Sequence, residues 1–329
     1  MSTNVYYSVS PFGTGDIKTG SPTLTISGGV STLTVAQTGN IGIGCRITYD
    51  TSSIAYISAV NSSTSFDVIT AVGGTPSDEG TPVTVNSIGH EYASLSAFEA
   101  GFTDANHINN TSLVSADVIA NACCYYDHDD QTPDTAGVVI SFGTTDQTRY
   151  LSIFCPIGGT ESINNQASET GVLDLNKYNL TTNHGTGIEV RENNVHIRNL
   201  QIRFGLNYAS ARNCILYLPQ TSVAYFTIDS CILTRTDDTY SGYGGVSCSY
   251  VGGSDQRYLT ITNSLVYGFV GGATTASCVA IGDSDWNVDI VNSVLANADG
   301  YGFQVGTGTD KSTVTNCAIF NTSDDIAGS

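Results

Sequence analysis

Val195-His196-Ile197-Arg198-Asn199-Leu200-Gln201-Ile202 alternates apolar and polar residues, meets an asparagine, and resumes the alternation. The same form returns as Phe226-Thr227-Ile228-Asp229-Ser230-Cys231-Ile232-Leu233, Leu259-Thr260-Ile261-Thr262-Asn263-Ser264-Leu265-Val266 and Val288-Asp289-Ile290-Val291-Asn292-Ser293-Val294-Leu295. A fifth copy, Ser312-Thr313-Val314-Thr315-Asn316-Cys317-Ala318-Ile319, loses only the first apolar residue. The Asn or Ser positions 199, 230, 263, 292 and 316 are 31, 33, 29 and 24 residues apart. Period-two alternation is the signature of a strand with one buried side. Asn fits a sharp bend because it tolerates the left-handed conformation and bonds its own backbone.

A shorter strand precedes each copy: Ile188-Glu189-Val190, Leu216-Tyr217-Leu218, Val246-Ser247-Cys248, Val279-Ala280-Ile281 and Phe303-Gln304-Val305. Each unit therefore reads as a short strand, a turn, a second strand, a bend and a third strand. Such a unit cannot bury its apolar side alone and must stack on its neighbours. Stacking is expected to set the bend amides in a ladder inside the coil. A propeller blade needs about 40 residues and four antiparallel strands, and a leucine-rich horseshoe needs a Leu-dense repeat. The pattern predicts an all-β chain whose main part is a right-handed parallel β-helix with three strands per rung, over residues 89–329.

Residues 1–88 read as a separate small β sandwich or barrel, an attachment or assembly module. Thr23-Leu24-Thr25-Ile26 and Thr32-Leu33-Thr34-Val35 flank Ser27-Gly28-Gly29 as a hairpin, and strands follow at 44–49, 54–57 and 65–69. Gly73 to Gly80 reads as a loop or the start of a linker. Between the two parts, residues 94–101 form a short helix, with Ser94 as N-cap, Gly101 as the stop, and Tyr92, Leu95, Phe98 and Phe102 on one face.

The Asn-bend repeats and the Tyr92–Gly101 segment resemble the pectate-lyase-like β-helix superfamily and its N-terminal cap helix. A small β module before such a coil is similar to uncharacterised β-helix proteins of phages and environmental microbes, tail-spike or virion-appendage types among them. The resemblance implies the fold and leaves activity open, because the superfamily holds lyases, hydrolases, adhesins and inert scaffolds.

Charged residues make up 12% of the chain, about half the ~25% usual in soluble domains, and the net charge is −19. With three Lys and eight Arg, unclustered, the chain is not expected to bind nucleic acid or an anionic membrane surface. The N-terminal stretch lacks the basic and apolar regions of a signal peptide, so the chain reads either as a mature or trimmed form or as one that leaves its cell by another route, lysis being one; an extracellular or virion-associated place is the expectation. Nine cysteines without a CxxC pair read as buried free thiols. No metal site or cofactor is expected; calcium is conceivable, with no specific site.

For chemistry, Asp237-Asp238 lies in a loop with Tyr240 and Tyr243, carboxylates and sugar-stacking aromatics that glycoside hydrolysis would use. The polygalacturonase-like members carry a paired Asp, but their Asn-Thr-Asp and Gly-His-Gly have no counterpart here. Asp129-Asp130, Asp283 with Asp285, and Asp324-Asp325 are further acidic pairs, and acidic pairs in loops are usually just solvated turn residues. A lyase base is sought among Arg191, Arg198, Arg203 and Arg212, with no acidic trio for calcium. Cys123-Cys124-Tyr125-Tyr126-Asp127-His128-Asp129-Asp130 is ligand-dense, yet adjacent strand cysteines face opposite sides. The leading expectation is a non-enzymatic structural or adhesive surface protein, a homo-oligomer (trimer or end-to-end polymer) that contacts carbohydrate or a host-surface protein. The alternatives are a polysaccharide lyase or glycoside hydrolase working in a groove, and a self-assembling filament subunit. A bare last rung would expose strand edges, so a partner subunit, a next copy or further chain is expected over it.

Overall fold

A computed structural model describes residues 2–127, 132–168, 171–182, 185–204, 213–219, 223–235, 244–249, 256–270, 276–282, 285–306 and 311–327. The protein is all-β, with long parallel sheets and a closed six-stranded barrel. Its chain divides into two compact units: residues 1–132, 148–167 and 174–178, and residues 133–147, 168–173 and 179–329.

In the first unit the barrel is formed by Thr23–Ser27, Val30–Leu33, Ser65–Ile69, Ser53–Ser62, Arg46–Tyr49 and Glu79–Gly89, in that order around the ring. All its pairings are antiparallel. The hairpin turns at Gly28 and Gly29, both at positive φ. Glu79–Gly89 closes the ring because its eleven residues are long enough to pair with both Thr23–Ser27 and Arg46–Tyr49. Alternate residues point inward, Leu24, Ile26, Ile47, Ile57, Phe66 and Val68 among them, and this core continues into Cys123, Tyr125 and Phe154. The same unit holds three parallel strands: Thr3–Val9 beside Val118–Cys124, and Val118–Cys124 beside Leu151–Phe154.

The helix spans Leu95–Gly101, and Ser94 Oγ accepts from Ala97 N as its N-cap. Gly101 is not the stop: the C-cap is Phe102 in ordinary right-handed geometry. Its missing side chain instead makes room for an aromatic ring, since a Cβ there would sit 2.9 Å from Tyr92 Cε1. Leu95, Phe98 and Phe102 are fully buried and Phe98 stacks on Phe102 at 4.6 Å. A second short helix, Leu113–Ala116, ends at Asp117, whose left-handed backbone turns the chain into Val118–Cys124.

In the second unit the repeats lie in three parallel rows. The first row stacks Asn194–Arg198, Ala224–Asp229, Arg257–Thr262, Trp286–Val291 and Lys311–Thr315 in register. The second stacks Asn179–Thr182, Gln201–Phe204, Ile232–Arg235, Leu265–Phe269, Val294–Val305 and Ala318–Ala327. The third stacks Val138–Ile140, Ile188–Val190, Ile215–Tyr217, Val246–Cys248, Val279–Ile281 and the end of Val294–Val305. Because Val294–Val305 serves the second and third rows without a break, its repeat is shorter than those before it. Inward positions repeat down each row, as with Phe226, Leu259 and Val288 in the first, all buried. Each such side chain contributes roughly 1.5–3 kcal/mol on burial.

The five bends are left-handed as expected, with φ of 58, 55, 51, 52 and 54° at Asn199, Ser230, Asn263, Asn292 and Asn316. Their amide ladder, however, runs on the outside: Asn263, Asn292 and Asn316 are exposed, and Asn316 Nδ2 donates to Asn292 Oδ1 at 3.3 Å. The inner ladder belongs to the next residue. Cys231 N donates to Ser264 Oγ and Ser264 N to Ser293 Oγ, both at 3.1 Å, and Ser293 N to Cys317 Sγ at 3.5 Å. A left-handed residue throws its own side chain outward and turns its successor in. The third-row strand expected at 216–218 lies instead at Ile215–Tyr217, which buries Ile215 and Tyr217 and turns Leu216 outward. Tyr217 fixes that frame, packing against Phe226 and Trp286 while its hydroxyl donates to Asn193 O at 2.8 Å.

Candidate functional site

Three distant segments of the first unit meet at His90, directly after the barrel strand Glu79–Gly89. Its Nε2 lies 2.6 Å from Asp127 Oδ2, and its Nδ1 lies 3.8 Å from Cys45 Sγ. Ser10 Oγ donates to the same Asp127 oxygen at 2.8 Å. Asp127 is placed by the strand Val118–Cys124, and Cys45 by the turn that enters Arg46–Tyr49. That turn needs Gly44, at φ 84°, since a Cβ there would come 2.7 Å from Ser8 N. His90 is fully buried; burial favours its neutral form, but the Cys45 sulfur and the Asp127 carboxylate outweigh that and raise its pKa to about 10.

A sulfur, an imidazole and a carboxylate in line have the order of a nucleophile, a base and its orienting group. The burial argues for another use. Cys45 and His90 have no exposed surface, and the thiol points at Asn40 O, 3.9 Å away. Substrate attack requires an accessible nucleophile. The arrangement instead ties Ser10, the barrel and the parallel strands through one buried ion pair, whose removal on one side is costly.

Asp127 also borders a polar depression of about 270 Å³, shared with Asn40, Asn164, Gln166, Asn176 and Lys177. Its amides are held by the backbone: Asn40 Nδ2 donates to Tyr126 O, and Asn164 Nδ2 to Thr38 O and Gly39 O at 3.1 Å. Gln166 Oε1 accepts from Tyr126 N at 3.1 Å. The walls are thus spent largely on loop structure.

A second cluster of charge surrounds His107. Its Nδ1 meets Asp104 Oδ1 at 2.8 Å and its Nε2 meets Glu91 Oε1 at 3.1 Å, while Arg46 pairs with Glu91 at 3.2 Å. Burial pushes the His107 pKa down, and the hydrogen bonds to Glu91 and Asp104 more than reverse it. Tyr7 and Tyr92 pack on the imidazole at 5.0 and 5.4 Å. This cluster anchors the residues that flank the helix.

Of the sequence candidates, Asp237, Asp238, Tyr240 and Tyr243 lie outside the described residues, as do Asp129, Asp130, Asp283, His184 and Arg212. Asp285 is a left-handed turn residue whose carbonyl accepts from Arg257 N. Asp324 and Asp325 are exposed on Ala318–Ala327, and Asp325 accepts from Thr322 at 3.2 Å. Arg191 pairs with Glu189 at 2.5 Å, and Arg203 Nε donates to Thr181 Oγ1 at 3.2 Å. Arg198 and His196 share the outer side of the first row. Of those among the described residues, the structure brings none into one cluster. Among the described residues, no group of three or more His, Cys, Asp or Glu side chains is placed to hold a metal ion. No helix among them is long and apolar enough to cross a membrane.

The cysteines are all free thiols, eight buried and Cys317 half-buried. The meeting of Cys45, His90, Asp127 and Ser10 has no local signature, since each comes from a separate segment. Outward on the first row, Tyr225 and Tyr258 stack at 4.6 Å and 3°, beside the register pair Thr227 and Thr260. No protein-family model, curated protein or solved structure matches the chain.

Proposed function

We propose that the chain is a right-handed parallel β-helix of the pectate-lyase-like kind, working without catalysis as a structural or adhesive element of a virion or cell surface. Right-handedness follows from the general rule for crossovers between parallel strands of one sheet. The observation that carries the reading is the uninterrupted register of the first row, from Asn194–Arg198 to Lys311–Thr315. Such a stack offers a stiff, regular side on which Thr, Asn and Tyr recur at the spacing of strands. Among the described residues, the groups with reactive chemistry at Cys45 and at His107 are buried and committed to holding segments together. The barrel serves as the attachment module, the working form is a homo-oligomer, and the surface contacted is carbohydrate or host protein.

The test is incubation with a panel of acidic and neutral polysaccharides, followed for new reducing ends, for unsaturated uronates by ultraviolet absorbance, and for retention on immobilised glycan. Retention without chain shortening is expected. Shortening that disappears in Asp237→Asn or Asp238→Asn would replace this reading with a depolymerase.

A further inference from the structure

Two neighbouring strands of the first unit run into cysteine at the same level. Val118–Cys124 and Leu151–Phe154 are parallel, with Leu151 beside Ala120, Ile153 beside Ala122 and Phe154 beside Cys123. One residue further on, the two segments carry Cys124 and Cys155. The ladder stops there because the next residue, Pro156, has no N–H to give it.

Period-two alternation settles which thiols face each other. Cys123, Tyr125 and Phe154 belong to the barrel core. Cys124 therefore lies on the other side of its strand, with Ala120 and Ala122, and Cys155 lies on that same side of its own, with Leu151 and Ile153. All of these are buried, Cys124 at 0% and Cys155 at 1% exposure. In-register neighbours on adjacent strands stand about 4.8 Å apart, within the roughly 4.4–6.8 Å between Cα atoms that a disulfide spans. The other cysteines are placed differently. Cys45 Sγ is turned towards His90 Nδ1 and Asn40 O. Cys214 and Cys278 have Gly245 between them in the third row, and Cys248 stands between Tyr217 and Ile281. Ser264 and Ser293 separate Cys231 from Cys317.

We propose that Cys124 and Cys155 are a redox-sensitive modification site, joined as a cross-strand disulfide by exchange with a small disulfide such as oxidised glutathione. The thiolate of one cysteine attacks the small disulfide and expels one thiolate. The second cysteine, its proton given to solvent, attacks the first cysteine's sulfur in the mixed disulfide and expels the other. Two protein thiols are oxidised by two electrons, and one small disulfide is reduced to two thiols. Because both thiols are buried, exchange takes place in the folding chain or in an opened first unit, and the finished bond is sheltered from reductant. It closes the loop 124–155 and so restricts the unfolded chain. The pairing follows from the strand register of the first unit, whether or not the scaffold reading holds.

The test is incubation of the full chain with oxidised and reduced glutathione, in mildly alkaline buffer with urea just below the unfolding midpoint. Return to native buffer, alkylation and peptide mass spectrometry follow. A Cys124–Cys155 link is expected in most molecules, and it should persist in Cys123→Ala. Oxidation should lower the unfolding equilibrium constant about thirtyfold or more, read from urea curves with and without reductant. Cys155→Ser should show no such change on oxidation. A link dominated by any other pair, recovery of both cysteines as thiols, or glutathione held on Cys124 while Cys155 stays reduced would overturn the inference. So would an oxidised chain no more resistant to urea than the reduced one.

Discussion

At the scale of single residues, the bends divide labour between neighbours. Asn263 adopts the left-handed conformation and faces solvent, while Ser264 is buried and accepts the Cys231 amide. Ser264→Ala leaves that N–H without its partner inside the stack, a loss of about 1–3 kcal/mol. Ser264→Cys keeps an acceptor, as Cys317 does for Ser293, and should lose less; urea unfolding of both variants measures the difference. The asparagine bends were legible because few residue types tolerate that conformation. The inner ladder was not, because Ser and Cys beside a bend look like small filler until the rows are stacked. His90 was harder still, since Cys45 and Asp127 meet it only through the fold of the first unit. Its pKa lies near 10 in the folded chain against 6.5 for a free side chain, so its stabilising effect is complete below about pH 6.5 and is lost as pH rises through 10. Buried Cys214, Cys231 and Cys278, raised from 9 to about 12 by desolvation, lose their contribution above pH 9. Stability in urea should therefore fall steadily from pH 7 to pH 11. His90→Gln should lower it at pH 7 and flatten the first part of the fall; a midpoint that stays level from pH 7 to pH 11 in the parent would contradict the buried ion pair.

At the scale of elements, local chemistry decided some boundaries and stacking decided others. The helix start was legible in Ser94, whose hydroxyl caps Ala97 N; Ser94→Ala should cost about 1 kcal/mol, read as a lower thermal midpoint. Its end is not legible there, because glycine commonly stops helices, whereas Gly101 is the last helical residue and makes room for the Tyr92 ring. Gly101→Ala should accordingly destabilise the protein despite alanine's better helix propensity, and a stabilised variant would show that the ring yields. The hairpin was readable from its alternation, but closure of the barrel was not. Glu79–Gly89 contains Pro82 and two glycines, a composition that reads as loop, and becomes a strand by pairing on both sides. Around Leu216 both strand frames present apolar residues, so only the buried column of Val190, Tyr217 and Cys248 selects one.

At the scale of the whole molecule, strands stack in parallel and in register over five repeats, and the scaffold reading rests on that stack. In-register neighbours on adjacent strands lie about 4.8 Å apart, within the Cα separation a disulfide spans, while a diagonal pair two residues on lies beyond about 7 Å. Thr227 and Thr260 are register partners on the outer side of the first row, and Thr262 is the diagonal neighbour of Thr227. The most direct measurement is therefore oxidative cross-linking of Thr227→Cys/Thr260→Cys and Thr227→Cys/Thr262→Cys, read by peptide mass spectrometry. A disulfide in the first variant and none in the second is the predicted result; cross-linking of the second pair in preference to the first would contradict the register and the stacked fold with it.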